Sequence, residues 1–450
     1  MAISGWWVGF VGIGVIPIVI ADAWWALPVW LGLALALGLA DLLLAASPRQ
    51  VVVARESPKR TRLGETIGMR VRLANAGPRR LVGIVRDAWP PSAQARPTRR
   101  PVSIPAGEAR TITTTLTPFR RGTRHAGAVT VRSFGPIRFW ARQATIAAPG
   151  SVVVLPAFHA RKHLPSRLAR LRELDGATSL MVRGQGTEFD SLRDYVRGDD
   201  VRSIDWRATA RRSTITPGRG AAQPQLETRT IDPHLVVRTW RPERDRRVVI
   251  VVDSGRTAAA RIANETRLDT GYESALLLGA LASAAGDRVD LVIHDRRIRG
   301  RVQGANGPDL LARMVDAMAD VEPELIDSDW SALPGIVRGT TSQRALVVIA
   351  TTLDAPGAAR SLLTVLPELT AKHLVLIASV TDPEVVELSR RRGRLSDVYL
   401  AAAAERALAD RERVAAAVRR LGGDLVAATP TELPPAVADR YLAYKRAGRL

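Results

Sequence analysis

The 450-residue chain carries a formal net charge of +21 and no cysteine. Its length points to roughly two to four domains, and the missing cysteines exclude disulfides, thiol catalysis, iron–sulfur clusters and every Cys-containing zinc site. Nearly all of the positive charge is arginine, with lysine only at Lys59, Lys162, Lys372 and Lys445; in an alanine-rich chain that pattern matches a codon bias, and it favours a membrane-apposed surface over nucleic acid.

Residues 5–21 and 24–44 are apolar runs of near-spanning length, since about 20 helical residues cross the hydrocarbon core. Asp22 and Asp41 are the only charged side chains before Arg49, and five tryptophans fall mostly at the run ends, where an amphipathic ring prefers the headgroup layer. The segment 1–47 is therefore predicted to be a transmembrane helical hairpin. The flank Arg49, Arg55, Lys59, Arg60 and Arg62 places the remainder in the cytoplasm by the positive-inside rule, and two crossings return the N-terminus there as well.

From 50 to 156 short alternating runs such as Met69–Leu73 and Thr111–Leu116 lie between turn signals, predicting an antiparallel β-sandwich of about seven strands. Residues 157–240 form an arginine-rich connector. From 244 to 450, apolar β-branched runs at 248–252, 289–293, 345–350 and 373–378 alternate with helical stretches near 267–285, 308–320, 356–367 and 397–421. A last strand near 424–428 and a terminal helix complete a doubly wound α/β domain.

Several chemistries are absent. No glycine precedes a lysine, so no GxxxxGK[ST] phosphate loop exists, and there is neither an HExxH pair nor a GxSxG elbow. Gly184-Gln-Gly186 opens like a dinucleotide fingerprint, but Phe189 stands at the third glycine. His159 and His163 have helical spacing without an acidic residue nearby to complete a metal site.

The densest polar segment runs from Gly184 to Arg212. Glu188, Asp190, Asp199, Asp200 and Asp205 alternate with Arg193, Arg197, Arg202, Arg207 and Arg211, and Phe189, Tyr195 and Trp206 are interleaved. Guanidiniums at this density hold carboxylates ionised, which favours a structural or interface network over a carboxylate-based hydrolase. Asp199 or Asp200 is expected to cap a helix over 201–210. The segment is expected to brace the sandwich against the α/β domain with Asp205 and Trp206 buried. A second feature ends the first α/β strand: Asp253, with Thr257 four residues on, can offer oxygens to a hard cation, but Gly255 interrupts the set.

These residues resemble the bacterial membrane-anchored family catalogued as domain of unknown function 58. The likeness rests on the two apolar spans, on Asn75-Ala-Gly, Arg86-Asp87 and Pro118-Phe-Arg-Arg-Gly122, and on Glu188-Phe, Leu192-Arg-Asp-Tyr195, Gly198-Asp-Asp200 and Ile204-Asp-Trp206 with Ala210-Arg211. It implies a C-terminal domain similar to the von Willebrand factor A fold, with a degenerate Mg²⁺ adhesion site. Asp253 and Thr257 take the first and third positions, Ser328 stands for the later Thr, and Thr352 or Asp354 for the final Asp. It further implies a non-enzymatic scaffold in the bacterial plasma membrane, working with a MoxR-type AAA+ ATPase on the maturation or assembly of a client protein complex. A metal-dependent adhesion module acting without an ATPase is the alternative.

Overall fold

A computed structural model of the chain describes residues 2–21, 24–56, 58–179, 188–196, 204–212, 235–241, 246–263, 265–354 and 356–450. The strand β1 (Ala2–Ile3) leads into α1 (Gly5–Ile13) and α2 (Val15–Ala21), and α3 (Ala26–Leu44) returns. The first apolar run breaks at Gly14 because Pro17 has no amide hydrogen for the Ile13 carbonyl. The Phe10 carbonyl, freed by the break, accepts from Trp30 Nε1 at 3.2 Å. Ala26–Gln50 is long and apolar enough to cross a membrane by length and composition. Large apolar side chains stay exposed around these helices, among them Trp6, Ile20, Trp24, Leu35 and Leu39, which in a water-soluble domain would be an aggregation liability.

The sandwich follows: β2 (Val51–Glu56), β3 (Arg60–Arg62), β4 (Ile67–Asn75), β5 (Leu81–Asp87), β6 (Arg99–Ile104), β7 (Ala109–Leu116), β8 (Gly122–Phe134) and β9 (Trp140–Leu155). One sheet has the order β1-β9-β8-β5-β6 with β3 on β9; the other is β2-β4-β7. Alternate residues point inward, so Val71, Leu73 and Ile112 of one sheet meet Leu81, Val85, Val129 and Val131 of the other. The motif residues of this domain are buried polar anchors. Asn75 is 1% exposed; its amide donates to the carbonyls of Arg79, Ile104 and Pro105, and its oxygen accepts from Gly77 N–H. Asp87 takes a bidentate pair from Arg55 at 2.7 and 3.1 Å, plus the Trp89 indole.

The sandwich also grips the apolar hairpin. Asp41, fully buried near the end of α3, accepts backbone N–H groups from Ile137, Phe139 and Trp140 at 2.8–3.0 Å. Arg142 and Arg79 donate to the carbonyls of Leu42 and Leu43, and β1 pairs with β9. Residues 2–3 and 41–45 are thus held by the same domain, which puts the two ends of the hairpin on one side.

In the connector, α4 (Leu164–Ser179), β10 (Glu188–Asp194), α5 (Trp206–Arg212) and β11 (Val236–Arg241) are described. The α/β domain contains β12 (Arg247–Asp253), β13 (Arg261–Ile262), β14 (Glu265–Thr266), α6 (Arg267–Ala284), β15 (Arg288–His294), β16 (Ile298–Val302), α7 (Gly307–Ala319), α8 (Leu333–Thr340), β17 (Leu346–Ala350), α9 (Pro356–Thr370), β18 (Leu374–Val380), α10 (Pro383–Leu388), α11 (Leu395–Arg420), β19 (Asp424–Ala428) and α12 (Leu433–Arg446). The sheet order is β16-β15-β12-β17-β18-β19, parallel except for β16. Helices α6, α7 and α12 cover one face and α8, α9 and α11 the other, which explains why the strands read as unbroken apolar runs.

The two globular domains are joined through Arg121, 5% exposed. Its guanidinium donates to the carbonyls of Met318 and Val321 at 3.0 and 3.1 Å and lies 4.6 Å from the centre of the Tyr272 ring. Its Nε stands 2.5 Å from Asp269 Oδ1 as an ion pair rather than an aligned hydrogen bond. Gly122 follows at φ +90°, a left-handed conformation that glycine adopts without strain. Arg124 and Thr123 reach Glu322 and Asp320 beside it.

Glu265 leads into α6 ahead of Asp269 and Glu273. Burial, and then the negative charges of Glu273 and Asp269, push the Glu265 carboxyl up to about 7. A raised folded-state value means that stability present below the ordinary carboxyl range is lost as pH rises through about 7. Glu265→Gln is therefore expected to melt higher than wild type at pH 8, by about 1–2 kcal/mol after solvent screening of this half-exposed group. The gap should close below about pH 4.5; melting curves that stay parallel across that range would refute the assignment.

Candidate functional site

In an open parallel sheet, ligands bind outside the carboxyl ends of the strands where the strand order reverses. Here that point lies between β12, whose sequence successor β15 sits on one side, and β17 on the other. Asp253 ends β12, 2% exposed, and Thr351 follows β17; the Thr351 hydroxyl donates to Asp253 Oδ2 across the crevice at 2.6 Å. Thr257 donates to the same oxygen at 3.0 Å, while Gly255 N–H and the Ser328 hydroxyl donate to Oδ1. His294 ends β15 in register with Asp253. It is 2% exposed with Nδ1 unpartnered, and burial, against the pull of Asp295, Asp329 and Asp253, lowers its pKa.

Asp253, Thr257 and Ser328, named from the sequence, are thus brought together. Asp354 is not: its carboxylate is held by Arg267 at 2.5 Å and approached by Arg411 at 3.7 Å. Thr352 is buried, but the hydroxyl that reaches Asp253 is that of its neighbour Thr351. A threonine following a buried strand was the available signal for that role. Gly255 has a steric reason. A Cβ there would overlap Ser328 Oγ and lie 2.8 Å from the Ile326 carbonyl, so Ser328 fills the space that a side chain at 255 would need.

These residues do not fit a tight Mg²⁺ site. The set carries one carboxylate, and its roughly four lone-pair positions accept four protein donors, whereas Mg²⁺ demands octahedral oxygen ligation with carboxylate charge. Magnesium is accordingly expected to leave the melting temperature unchanged, where saturation a hundredfold above Kd would add about 2.7 kcal/mol. A magnesium-dependent rise abolished by Asp253→Ala would overturn this. Asp253→Ala is expected to destabilise the fold with or without magnesium, because its carboxylate accepts from Thr351, Thr257, Gly255 and Ser328. Stripping the shared acceptor from three hydroxyls and an amide is expected to cost about 2–4 kcal/mol.

In the acidic signature, Glu188, Asp190 and Arg193 lie on β10, which pairs antiparallel with β11 so that Glu188 faces Arg241 and Arg193 faces Val237. Tyr195 continues the ribbon through its N–H to the Leu235 carbonyl at 2.7 Å. Asp199 and Asp200 lie outside the described residues. The observed cap is Asp205, whose Oδ1 accepts from Arg207 and Ala208 N–H at 3.0 Å. The helix α5 therefore starts at Trp206 and carries Arg211 in its last turn. Trp206 is 68% exposed, and Leu192 and Val196 are exposed too. The expected burial of Trp206 is corrected: a helix of seven residues with the tryptophan at its first position leaves the ring at the edge of the small ribbon. Among the described residues, Arg121 of the Pro118–Gly122 motif is the buried link between the sandwich and the α/β domain.

Parts of the chain are similar to known proteins. Among solved structures, PapD-like domain 7 of human CEP192 matches 24% of this chain and 87% of its own at 14% identity and a TM-score of 0.19. The CARDB domain of PF1109 from Pyrococcus furiosus matches 23% and 94% at 16% identity and a TM-score of 0.18. Uncharacterized proteins of Mycobacterium bovis and Mycobacterium tuberculosis are 26% identical over 210 residues, which span 46% of this chain and 59% of theirs. Residues 225–419, which take in the crevice around Asp253 and nearly all of α11, match the family described as protein of unknown function DUF58.

Proposed function

We propose that this chain is a non-enzymatic scaffold in the bacterial plasma membrane, which presents its α/β domain on the cytoplasmic side to a MoxR-type AAA+ ATPase and a client protein. The observation that carries the reading is mechanical. Asp41 fixes the apolar hairpin to the sandwich, and Arg121 fixes the sandwich to the α/β domain, so a force applied to one part is felt by the others. The lack of a phosphate loop assigns ATP hydrolysis to the partner. The saturated Asp253 carboxylate weighs against metal-dependent adhesion. Affinity purification of the full chain from detergent-solubilised membranes, with and without ATP, tests the proposal. An AAA+ ATPase retained in a nucleotide-dependent way is the expected result; its absence from both eluates would sink the idea.

A further inference from the structure

We infer that the end of the sandwich from which the apolar hairpin leaves is a surface for the phosphate groups of anionic phospholipids, with Arg49, Arg79, Arg80 and Arg138 as its contacts; this deepens the membrane reading above and rests on it. Strand pairing gathers these residues from distant parts of the chain. The start of β5 and the end of β6 lie beside the end of β8, and the end of β4 lies beside the starts of β2 and β7. The turns between them therefore close round the base of α3. Ala76 N–H reaches the Gln50 carbonyl, Gly107 N–H reaches the Asn75 carbonyl, and Ile137 N–H reaches Asp41. At that base Arg79 and Arg142 donate to the carbonyls of Leu43 and Leu42, the negative end of the helix.

Arg49, Arg79, Arg80 and Arg138 are exposed, and none of the four forms an ion pair among the described residues. The carboxylates described at this end, Asp41 and Glu108, do not answer them. Asp41 is fully buried and taken up by three backbone N–H groups, and Glu108 pairs with Arg110 at 3.4 Å. Ile3, Trp6 and Ile137 are exposed at the same end. Arginine beside exposed tryptophan and isoleucine is the composition of the layer where hydrocarbon meets headgroups, and a guanidinium matches a phosphate with two parallel N–H···O bonds. A nucleic-acid backbone offers these arginines phosphate but leaves the apolar side chains, which continue into the exposed face of the hairpin, without a partner.

The basic flank that follows α3 in the sequence is mostly elsewhere. Arg55 is buried against Asp87. Arg60 pairs with Asp316 of α7 at 3.1 Å, Arg62 donates to the Pro156 carbonyl, and the Lys59 carbonyl accepts from Val153 N–H. These three sit by the end of β9 that pairs with Gly122. The 13 residues of β8 put that end roughly 40 Å from the hairpin. Of the flank, Arg49 alone stays at the base, so the positive charge facing the bilayer comes mainly from turns later in the chain. Asp41 fixes the hairpin to those same turns, which sets the arginines at the depth where a spanning hairpin meets its headgroups.

The test uses the full chain in a neutral detergent, with phosphatidylglycerol and phosphatidylcholine of the same acyl chains as probes and native mass spectrometry to count the lipid retained. Wild type is expected to hold phosphatidylglycerol in preference, and less of it as salt rises. The triple variant Arg49→Gln/Arg80→Gln/Arg138→Gln spares the bonds of Arg79 and Arg142 to the helix end. It should hold phosphatidylglycerol at least tenfold more weakly at an unchanged melting temperature in lipid-free detergent, since one basic residue near an anionic surface is worth about fivefold. Equal retention of the two lipids by wild type, or of phosphatidylglycerol by wild type and variant, would overturn the inference. So would a melting temperature raised as far by inorganic phosphate as by the lipid, which would assign the arginines to a soluble anion. A short DNA duplex bound more tightly than the lipid, and lost in the same variant, would give the surface to nucleic acid instead. Recovery of wild type in the soluble fraction of a detergent-free lysate would overturn the membrane reading itself, whereas loss of lipid preference in a chain that sediments with membranes overturns this inference alone.

Discussion

Arg121→Ala is expected to destabilise the full chain by about 3–5 kcal/mol, the range found when one partner of a buried ion pair is removed. Asp269 would keep its charge in a 9% exposed position without the guanidinium, and the carbonyls of Met318 and Val321 would lose their donor. The Tyr272 ring would lose its cation as well, although burial, more than any neighbour, is what pushes its hydroxyl up to about 12. Arg121→Lys should recover only part of the loss, because an ammonium cannot serve two carbonyls, a carboxylate and a ring face with one planar fork. Thermal melting measures the magnitude, and limited proteolysis between the domains reports the uncoupling. A melting temperature within error of wild type for Arg121→Ala would remove the residue from the interface.

A comparable loss is expected at the other joint. Asp41→Ala leaves the N–H groups of Ile137, Phe139 and Trp140 without acceptors, each worth about 1–3 kcal/mol when buried, for a total of about 3–5 kcal/mol once water reaches the more open edge. Gly135→Ala should act the same way from the opposite side, since its Cβ would overlap the Asp41 carboxylate. The signature of both variants is local: the 135–140 loop becomes open to protease in detergent while the α/β domain melts as before. If both variants leave that loop resistant, Asp41 is not the joint.

Much of the α/β domain was legible because its strands are buried on both faces and its helices are long. Residues 248–252 lie within β12, 289–293 within β15, and 267–285 overlie α6. The edge strand β16 escaped notice because Ile298-Arg-Gly-Arg-Val302 has the charge expected of a strand half open to water, and α8 and α10 were too short to show a period. Arg121 was visible as part of the Pro118–Gly122 motif, but nothing local tells which of its two arginines will be buried by a domain about 150 residues later in the chain. The misplacement of Trp206 has a related cause. Aromatic residues among alternating charges suggest a core, yet a short capped helix on a two-stranded ribbon has too little area to cover an indole. At the crevice, Asp253 and Thr257 were read from the strand end, whereas Thr351 depends on which strand lies beside β12.

Ser328 in the space beside Gly255 has a consequence for how this crevice can change over generations. A single step from Gly255 to serine, which would restore the hydroxyl missing from the adhesion-type pattern, meets Ser328 Oγ and the Ile326 carbonyl before it can turn toward a cation. The complementary step, Ser328→Gly, first removes a donor from Asp253. Each change alone is thus disfavoured, and a side chain at 255 needs Ser328 to move aside from the Asp253 carboxylate first.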